Sequence, residues 1–539
     1  MPSYCCFKYP WEVLQAASSD PVGPAEWSPN AVIKIPRGGH IHPESRKIQV
    51  LQMQQETGYY TVSVPQNGGD FGLSISNITK AERENITFSG PPFLRGLDTG
   101  SSFRDTQHYQ TVISWSSFFD DCSDENAESK SPLTWDRINQ MIKTASEEKN
   151  EPQMALIVKI AQELSKTISD FAYGIRKVLS CERRLTPIEK AEEFDAVCID
   201  WYIRQPGLTA HEKAAYNQQK LKSVVRKDYV DTLENRVLKD FLKRCVAEAN
   251  LYRNSCTEKQ LNSARAKKVR AYSILCSALL QNPIFQEVSD ITCAVQPNYV
   301  LQGDARYKLI WKRYLQLLRK QRANDLLWAW QSRTWSDIVA LFLNVAFLQL
   351  CESHCTGFTI SPLARCAPIF YFEQKEGRRL DSSSHSGPYI IKNSQNKAFV
   401  LETFALESLE DYIKASSRKD LSILRECLAD GAFVITPLSG GKVSVIPIWG
   451  IHSALDPTSA EAVWQSAHKS LLSFKMSLEH KLHTFHPLII LSSQNNQEQT
   501  ILRKGGISLL SFKPGIQNWS TNIAHLMTEI DFVIGEIVR

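Results

Sequence analysis

The side chains that could do chemistry lie in a few short groupings. Cys351-Glu352-Ser353-His354-Cys355 sets two thiols one helical turn apart around an imidazole, and Cys366 follows. A zinc centre of this type needs a second paired knuckle, which the sequence lacks. Cys351 and His354, three apart, would meet on a helix face as nucleophile and base, but no orienting third group is legible. Structural cysteines are the expectation. Gly39-His40-Ile41-His42 presents two imidazoles to one side of an extended segment; without a third ligand nearby, exposed turn histidines are expected. Gly440-Gly441-Lys442 has neither the spacing of a phosphate-binding loop nor a helix after it, which assigns any NTP chemistry to another chain. Arg306-Tyr307-Lys308, Trp311-Lys312-Arg313-Tyr314 and Arg319-Lys320-Gln321-Arg322 interleave cations with aromatics. Such a stretch can neutralise phosphates and pack rings on sugars or bases. It is equally the pattern of a helix with core aromatics and a solvated basic face. Lys220, Lys222, Arg226, Lys227, Arg265, Lys267, Lys268 and Arg270 would enlarge a shared basic surface.

The elements that must position these groups follow from composition and periodicity. The chain has 539 residues, 43% hydrophobic and 22% charged, an ordinary globular composition with room for two to four domains. With 62 basic and 57 acidic residues the net charge is +5, which implies nucleic-acid binding only if the cations gather on one face. Thirteen scattered cysteines and no cleavable apolar leader suggest free thiols in a reducing cytoplasm. The apolar run 338–350 is broken by Asn344 and Gln349 and is too short for a bilayer, so a buried helix and no membrane partner are expected.

Short strand-like runs at 30–35, 47–52, 58–64, 72–75 and 109–114, punctuated by glycine and proline, predict a small β domain over residues 1–130, ending in the acidic linker 120–130. A helical bundle is predicted over 131–355. Ile157, Ala161, Leu164, Ile168, Phe171, Ile175 and Val178 step as one long apolar seam. Val230, Leu233, Val237, Phe241, Leu242 and Cys245 mark the buried face of a second helix, whose opposite face takes Glu234, Asn235, Arg236, Lys239, Asp240, Lys243 and Arg244. Residues 356–539 alternate strand-like and helical segments, predicting a C-terminal α/β domain and a multidomain α+β chain overall.

Ile175-Arg176, Arg183-Arg184-Leu185, Glu234-Asn235-Arg236-Val237, Asp304-Ala305-Arg306-Tyr307 and Tyr314-Leu315-Gln316-Leu317-Leu318 together resemble a bacterial family of McrC-like proteins over about residues 150–539. In that family a helical domain of unknown function precedes a restriction-endonuclease-like PD-(D/E)XK domain. The resemblance implies a prokaryotic antiviral defence or restriction role, DNA as a ligand and other defence proteins as partners, an NTPase among them. The nucleic-acid candidates remain those of the interleaved basic stretch, Arg306, Lys308, Lys312, Arg313, Arg319, Lys320 and Arg322.

A nuclease of that kind sets an acid on one strand and Asp/Glu-x-Lys on its neighbour, where two carboxylates hold Mg²⁺ and the lysine positions the attacking water. One placement uses 430–435 and 443–450: it retains Asp430 but has Pro447 and Trp449 where the acid and lysine should lie. The other uses Glu373-Gln374-Lys375, with no acid in 356–368 to complete it. Glu373, Lys375, Glu402, Asp430 and Asp456 are the groups a different strand pairing would recruit. The expectation is a nuclease-fold subunit without a complete centre, with an atypical Mg²⁺-dependent endonuclease and a protein-binding scaffold as alternatives.

Overall fold

The structure is a computed structural model. It describes residues 4–15, 28–36, 38–45, 48–53, 58–66, 69–76, 83–90, 103–106, 109, 112–113, 133–134, 138–140, 142–143, 151–152, 154–216, 218–353, 357–363, 368–369, 377, 387–405, 424, 426–452, 460–478, 481–492, 501–513 and 518–539. The chain is mixed α+β, with small N-terminal sheets, central helices and a large C-terminal mixed sheet. It divides into two compact units, one of residues 1–149 and 320–539, the other of residues 150–319.

In the first unit the N-terminal strands form two antiparallel sheets. One runs Cys5–Phe7, Val32–Lys34, Tyr59–Val62, Val50–Gln52, and the other His40–Pro43, Phe71–Ser76, Arg83–Phe88. Phe71, Leu73 and Ile75 alternate inward, as a half-buried strand requires. Of the strand expected at 109–114, the described residues Tyr109, Val112 and Ile113 are helical instead. The backbone turns there because Thr106 accepts the Tyr109 N–H, and Tyr109 packs edge-on against Phe103 and beside Trp328.

The C-terminal sheet has the order Phe358–Pro362, Tyr389–Asn393, Ala398–Ala405, Gly431–Pro437, Ser444–His452, Leu488–Ser492, Ile507–Phe512, Ile501–Lys504. The first five strands are antiparallel. Ser444–His452, Leu488–Ser492 and Ile507–Phe512 are parallel, and the helix Ala460–Leu478 precedes the parallel return. Every residue of Ser444–His452 is buried, as a central strand covered on both faces demands.

Helices Gln331–Glu352 and Trp519–Val538 cover one face through Trp335, Phe342, Trp519 and Ile534, which pack on Ile446, Ile448, Ile490 and Phe512. The other face, carrying Val445, Trp449, Ile489 and Leu509, is covered by Ala460–Leu478 and by Tyr9 and Trp11 from the N-terminal turn Pro10–Gln15. The helix read at 338–350 extends over 22 residues, long and apolar enough for a membrane span by length and composition. What identifies it as a core helix is therefore burial against the sheet, not shortness.

The second unit packs Leu156–Tyr173, Leu233–Ser255, Ala264–Leu280 and the first part of Ala305–Ala329 around Leu164, Phe241, Leu242, Tyr272 and Tyr307. The first helix ends at Tyr173, with Gly174 as its cap, so the apolar seam does not continue to Val178. Instead Val178–Pro187 and Lys220–Tyr229 form a two-stranded antiparallel ribbon, with Val225 opposite Glu182. The short helices Ala196–Arg204 and Ala210–Ala215 lie between its strands. The latter opens with a capping box of Thr209 and Glu212.

At Gly450 the helix Gln331–Glu352 lies close against the sheet. A Cβ there would lie 3.2 Å from Ser336 Cα and 3.3 Å from Val339 Cγ2. Gly450→Ala should force the helix Gln331–Glu352 off the strand and lower stability by about 1–3 kcal/mol. In urea unfolding this appears as a lower midpoint at unchanged slope; an unchanged midpoint would show that the helix yields freely.

Candidate functional site

The resemblance signatures at 176, 234–236 and 307 meet in space. Asn235, placed by periodicity on the outer face of its helix, is fully buried, and so is Glu234. The Asn235 amide donates to the carbonyls of Arg176 and Val230, both at 2.8 Å. These residues lie just before and just after the ribbon Val178–Tyr229. The Tyr307 hydroxyl donates to Asn235 Oδ1 at 2.6 Å and accepts the Arg176 N–H at 3.2 Å. Burial pushes the Tyr307 hydroxyl up to about 12. Glu234 pairs with Arg176 at 2.9 Å and accepts from Asn298 at 2.9 Å. Arg236 forks onto Asp231 with two bonds of 2.7 Å, and Asp231 also takes the Ser289 N–H and hydroxyl; the guanidinium holds its carboxyl well below the usual range. Polarity assigned Glu234 and Asn235 to solvent. The signal against that was their recurrence with Arg176 and Tyr307 in the spaced signature.

This cluster is the root of an arm whose surface is unusually apolar. Leu179, Leu185, Ile199, Ile203, Leu208 and Tyr216 are all exposed. Several arm cations are engaged within it: Arg183 with Asp195 at 2.5 Å, Arg226 with Glu193 through two bonds of 2.9 Å, and Lys177 with Asp228 at 3.1 Å. Arg226 thus contributes less free charge than its sequence position suggests.

The interleaved basic stretch is the helix Ala305–Ala329. Tyr307 and Tyr314 are core residues, which removes them as stacking platforms. Lys308, Lys312 and Arg319 are exposed and lie within about 40° of one another around the helix, an outward stripe ~16 Å long. Arg306 is exposed with its guanidinium over the Phe171 ring at 5.1 Å. Arg313 is half-buried and paired with Glu163 and Gln316. In the other unit, Arg322 is exposed and Lys320 half-buried.

For a metal centre, the strand pair Gly431–Pro437 and Ser444–His452 lies adjacent and antiparallel, with Ala432 opposite Pro447. Asp430 immediately precedes the first strand, and its Oδ2 accepts the Gly450 N–H at 2.7 Å. Pro447 and Trp449 share a face with Val445 and Ile451 by the two-residue period. Trp449 is fully buried, its indole N–H donating to the Cys427 carbonyl at 3.3 Å. Neither Pro447 nor Trp449 offers an oxygen, so the residues at this strand pair do not fit Mg²⁺. Glu402 is half-buried on the neighbouring strand, opposite Val434. Glu373, Lys375 and Asp456 lie outside the described residues, as do His354, Cys355 and Cys366. Among the described residues no group of three or more His, Cys, Asp or Glu could hold a metal. His40 and His42 are exposed on one side of a strand, rather than in a turn, with rings 6.5 Å apart.

A constellation that sequence reading missed lies on the opposite face of the sheet. His486 Nε2 is 2.8 Å from Ser508 Oγ, and that hydroxyl donates to Glu529 Oε1 at 2.5 Å. Glu529 is fully buried and takes two bonds from Arg503, of 2.7 and 2.6 Å. Serine stands between histidine and carboxylate, and it donates to the carboxylate rather than to the imidazole. This is not the order of a nucleophilic triad, in which the imidazole takes the serine proton. With its proton committed to Glu529, Ser508 accepts from His486, which fixes the imidazole as the Nε2–H tautomer. Burial, Lys475 and Arg503 push the His486 imidazole down to about 4.

A family model described as a domain of unknown function, DUF2357, matches residues 134–314. Among solved structures, an assembly of Thermococcus gammatolerans McrB AAA+ hexamers with bound McrC is similar at 9% identity. The match covers 88% of this chain and 85% of that one, with a TM-score of 0.20. No curated protein matches.

Asn235→Ala should strand the Tyr307 hydroxyl and two carbonyls and cost about 3 kcal/mol in urea unfolding; a loss under ~0.5 kcal/mol would show that the network is not structural. His486 sets a pH dependence. Its folded pKa of about 4 lies below the ordinary 6.5, so the unfolded chain binds the proton first. Stability should therefore be constant in this respect above pH 6.5 and fall by ~3 kcal/mol as pH drops towards 4. His486→Gln should flatten that segment of the stability profile, and an unchanged slope would exclude His486 as its source.

Proposed function

We propose that this chain is a McrC-like subunit of a prokaryotic antiviral defence or restriction system, acting in the cytoplasm. On this reading its C-terminal domain has a restriction-endonuclease-like fold without a working metal centre, and the protein grips DNA beside partner proteins, an NTPase among them. The observation that carries the reading is the occupancy of the strand pair. Where that fold sets an acid and a lysine, this chain has Pro447 and a buried Trp449, and the remaining Asp430 accepts a backbone N–H.

Further support comes from the match of residues 134–314 to DUF2357, which takes in the resemblance signatures from Ile175 to Tyr307. The exposed stripe Lys308, Lys312 and Arg319 suits a phosphate backbone, since each cation can displace one condensed counterion. Gly440-Gly441-Lys442 turns between two antiparallel strands and opens no helix, so NTP hydrolysis is assigned to a partner. The apolar arm rooted on Asn235 is the surface assigned to protein partners.

The test is labelled duplex DNA with the purified chain, in Mg²⁺, Mn²⁺ or EDTA, across a salt series. Retardation without cleavage is expected, weakening steeply with salt. Replacing Lys308, Lys312 and Arg319 together by alanine should lower the salt slope by about 2–3. Metal-dependent cleavage lost on Glu373→Ala or Asp430→Ala would replace this reading with an active endonuclease; no retardation at any salt would leave a protein-binding scaffold.

A further inference from the structure

The sheet face that would hold metal and scissile phosphate in a restriction-endonuclease-like domain is covered by the chain's own N terminus. Trp11 is fully buried, edge-on to Trp449 with ring centroids 5.9 Å apart, and stacked on Tyr9 at 5.0 Å. Its indole N–H donates to Ser466 Oγ of the helix Ala460–Leu478 at 3.1 Å. The Ser466 hydroxyl in turn donates to Glu12 Oε1 at 2.8 Å. The other Glu12 oxygen accepts the N–H groups of Lys8 and Tyr9 at 2.9 and 3.2 Å, which closes the turn and sets the angle of Trp11. A second clamp lies at the strand end, where the Asn30 amide pairs with both backbone groups of His452, at 2.9 and 3.1 Å. Tyr9, Trp11, Asn30 and His452 are buried, with Glu12 and Ser466 half-buried between them, so the aromatic cover is part of the core rather than a loop resting on it.

Among the described residues little space remains beside Asp430. The cavity there, about 60 Å³, is lined by Asn30, Thr61, Arg333, Asp430 and Gly450 among others. A nucleotide-sized ligand needs ~300 Å³ or more, so this one admits water but not a flipped base or a phosphodiester.

We propose that the segment Tyr9–Gln15 is a fixed intramolecular plug that takes the place of nucleic acid on this face, and that Asn30 locks it. The proposal rests on the nuclease-like reading of the C-terminal domain. It assigns that domain's former substrate face to the turn Tyr9–Gln15, and any DNA contact must then use other surfaces of the chain.

The experiment is fluorine NMR of the full chain labelled with 5-fluorotryptophan. Trp11→Phe and Trp449→Phe serve only to assign the two resonances. The assigned signals are followed in the wild-type chain alone, with Mn²⁺, and with Mn²⁺ plus a 20-base-pair duplex. The expected result is that both lack a solvent isotope shift and show no paramagnetic broadening or displacement beyond their line width in any condition. A solvent-exposed Trp11 signal in the free protein would overturn the plug. So would selective broadening of Trp449 by Mn²⁺, or displacement of either signal by DNA. A gel shift on the same samples scores DNA binding separately: an unmoved Trp11 with no gel shift keeps the plug and removes the DNA-gripping reading, whereas a displaced Trp11 removes the plug and leaves DNA binding standing.

Discussion

The amide of Asn235 is the constraint on which the helical unit depends. It holds the carbonyls on either side of a long excursion, residues 178–229, and is itself held by Tyr307 from a third segment. Closing a loop of that length costs about 3.5 kcal/mol in chain entropy, more than one ordinary hydrogen bond returns. Three buried bonds sharing one side chain, beside the Arg176 and Glu234 pair, are of the right size to offset it. The buried Glu234 carboxylate is tolerable because both of its partners are charged or strongly donating. The arm can then be largely solvated and still leave its helices in a defined direction, because its order comes from the root.

How much of this was legible in the sequence depended on whether the information was local. The seams of Leu156–Tyr173 and Leu233–Ser255 follow from period alone, and their apolar residues are buried as read, apart from Leu233, which is half-buried. The ribbon was not legible, because its strands are mostly exposed and alternate weakly, so Val178 passed for the next step of a helical seam. Glu234 and Asn235 were misassigned for a related reason: polarity reports the cost of burial, not whether partners 59 to 72 residues away remove it. At the C-terminal site, the adjacency of 430–435 and 443–450 was readable from the strand pattern and the short turn between them. The cover was not. Trp11 and Trp449 are separated by most of the chain, and nothing near either tryptophan announces the other.

The two faces of the C-terminal sheet show what a buried carboxylate requires. Glu529 persists at zero exposure because Arg503 and Ser508 satisfy it from two sides, and the adjacent imidazole is kept neutral. A catalytic metal site needs the opposite condition, carboxylates left unsatisfied by protein so that a cation completes them. Asp430 gives one oxygen to a backbone N–H, and Pro447 and Trp449 stand on the adjacent strand. Once Trp449 occupies that face, the lowest-cost cover is another large apolar group, and Tyr9 with Trp11 supplies it. Placing a charge beneath that cover would bury it without a partner, at several kcal/mol. On the proposed nuclease-fold reading, loss of the acid and lysine and gain of the aromatic cover reinforce each other, and reversing either one alone is opposed by the other.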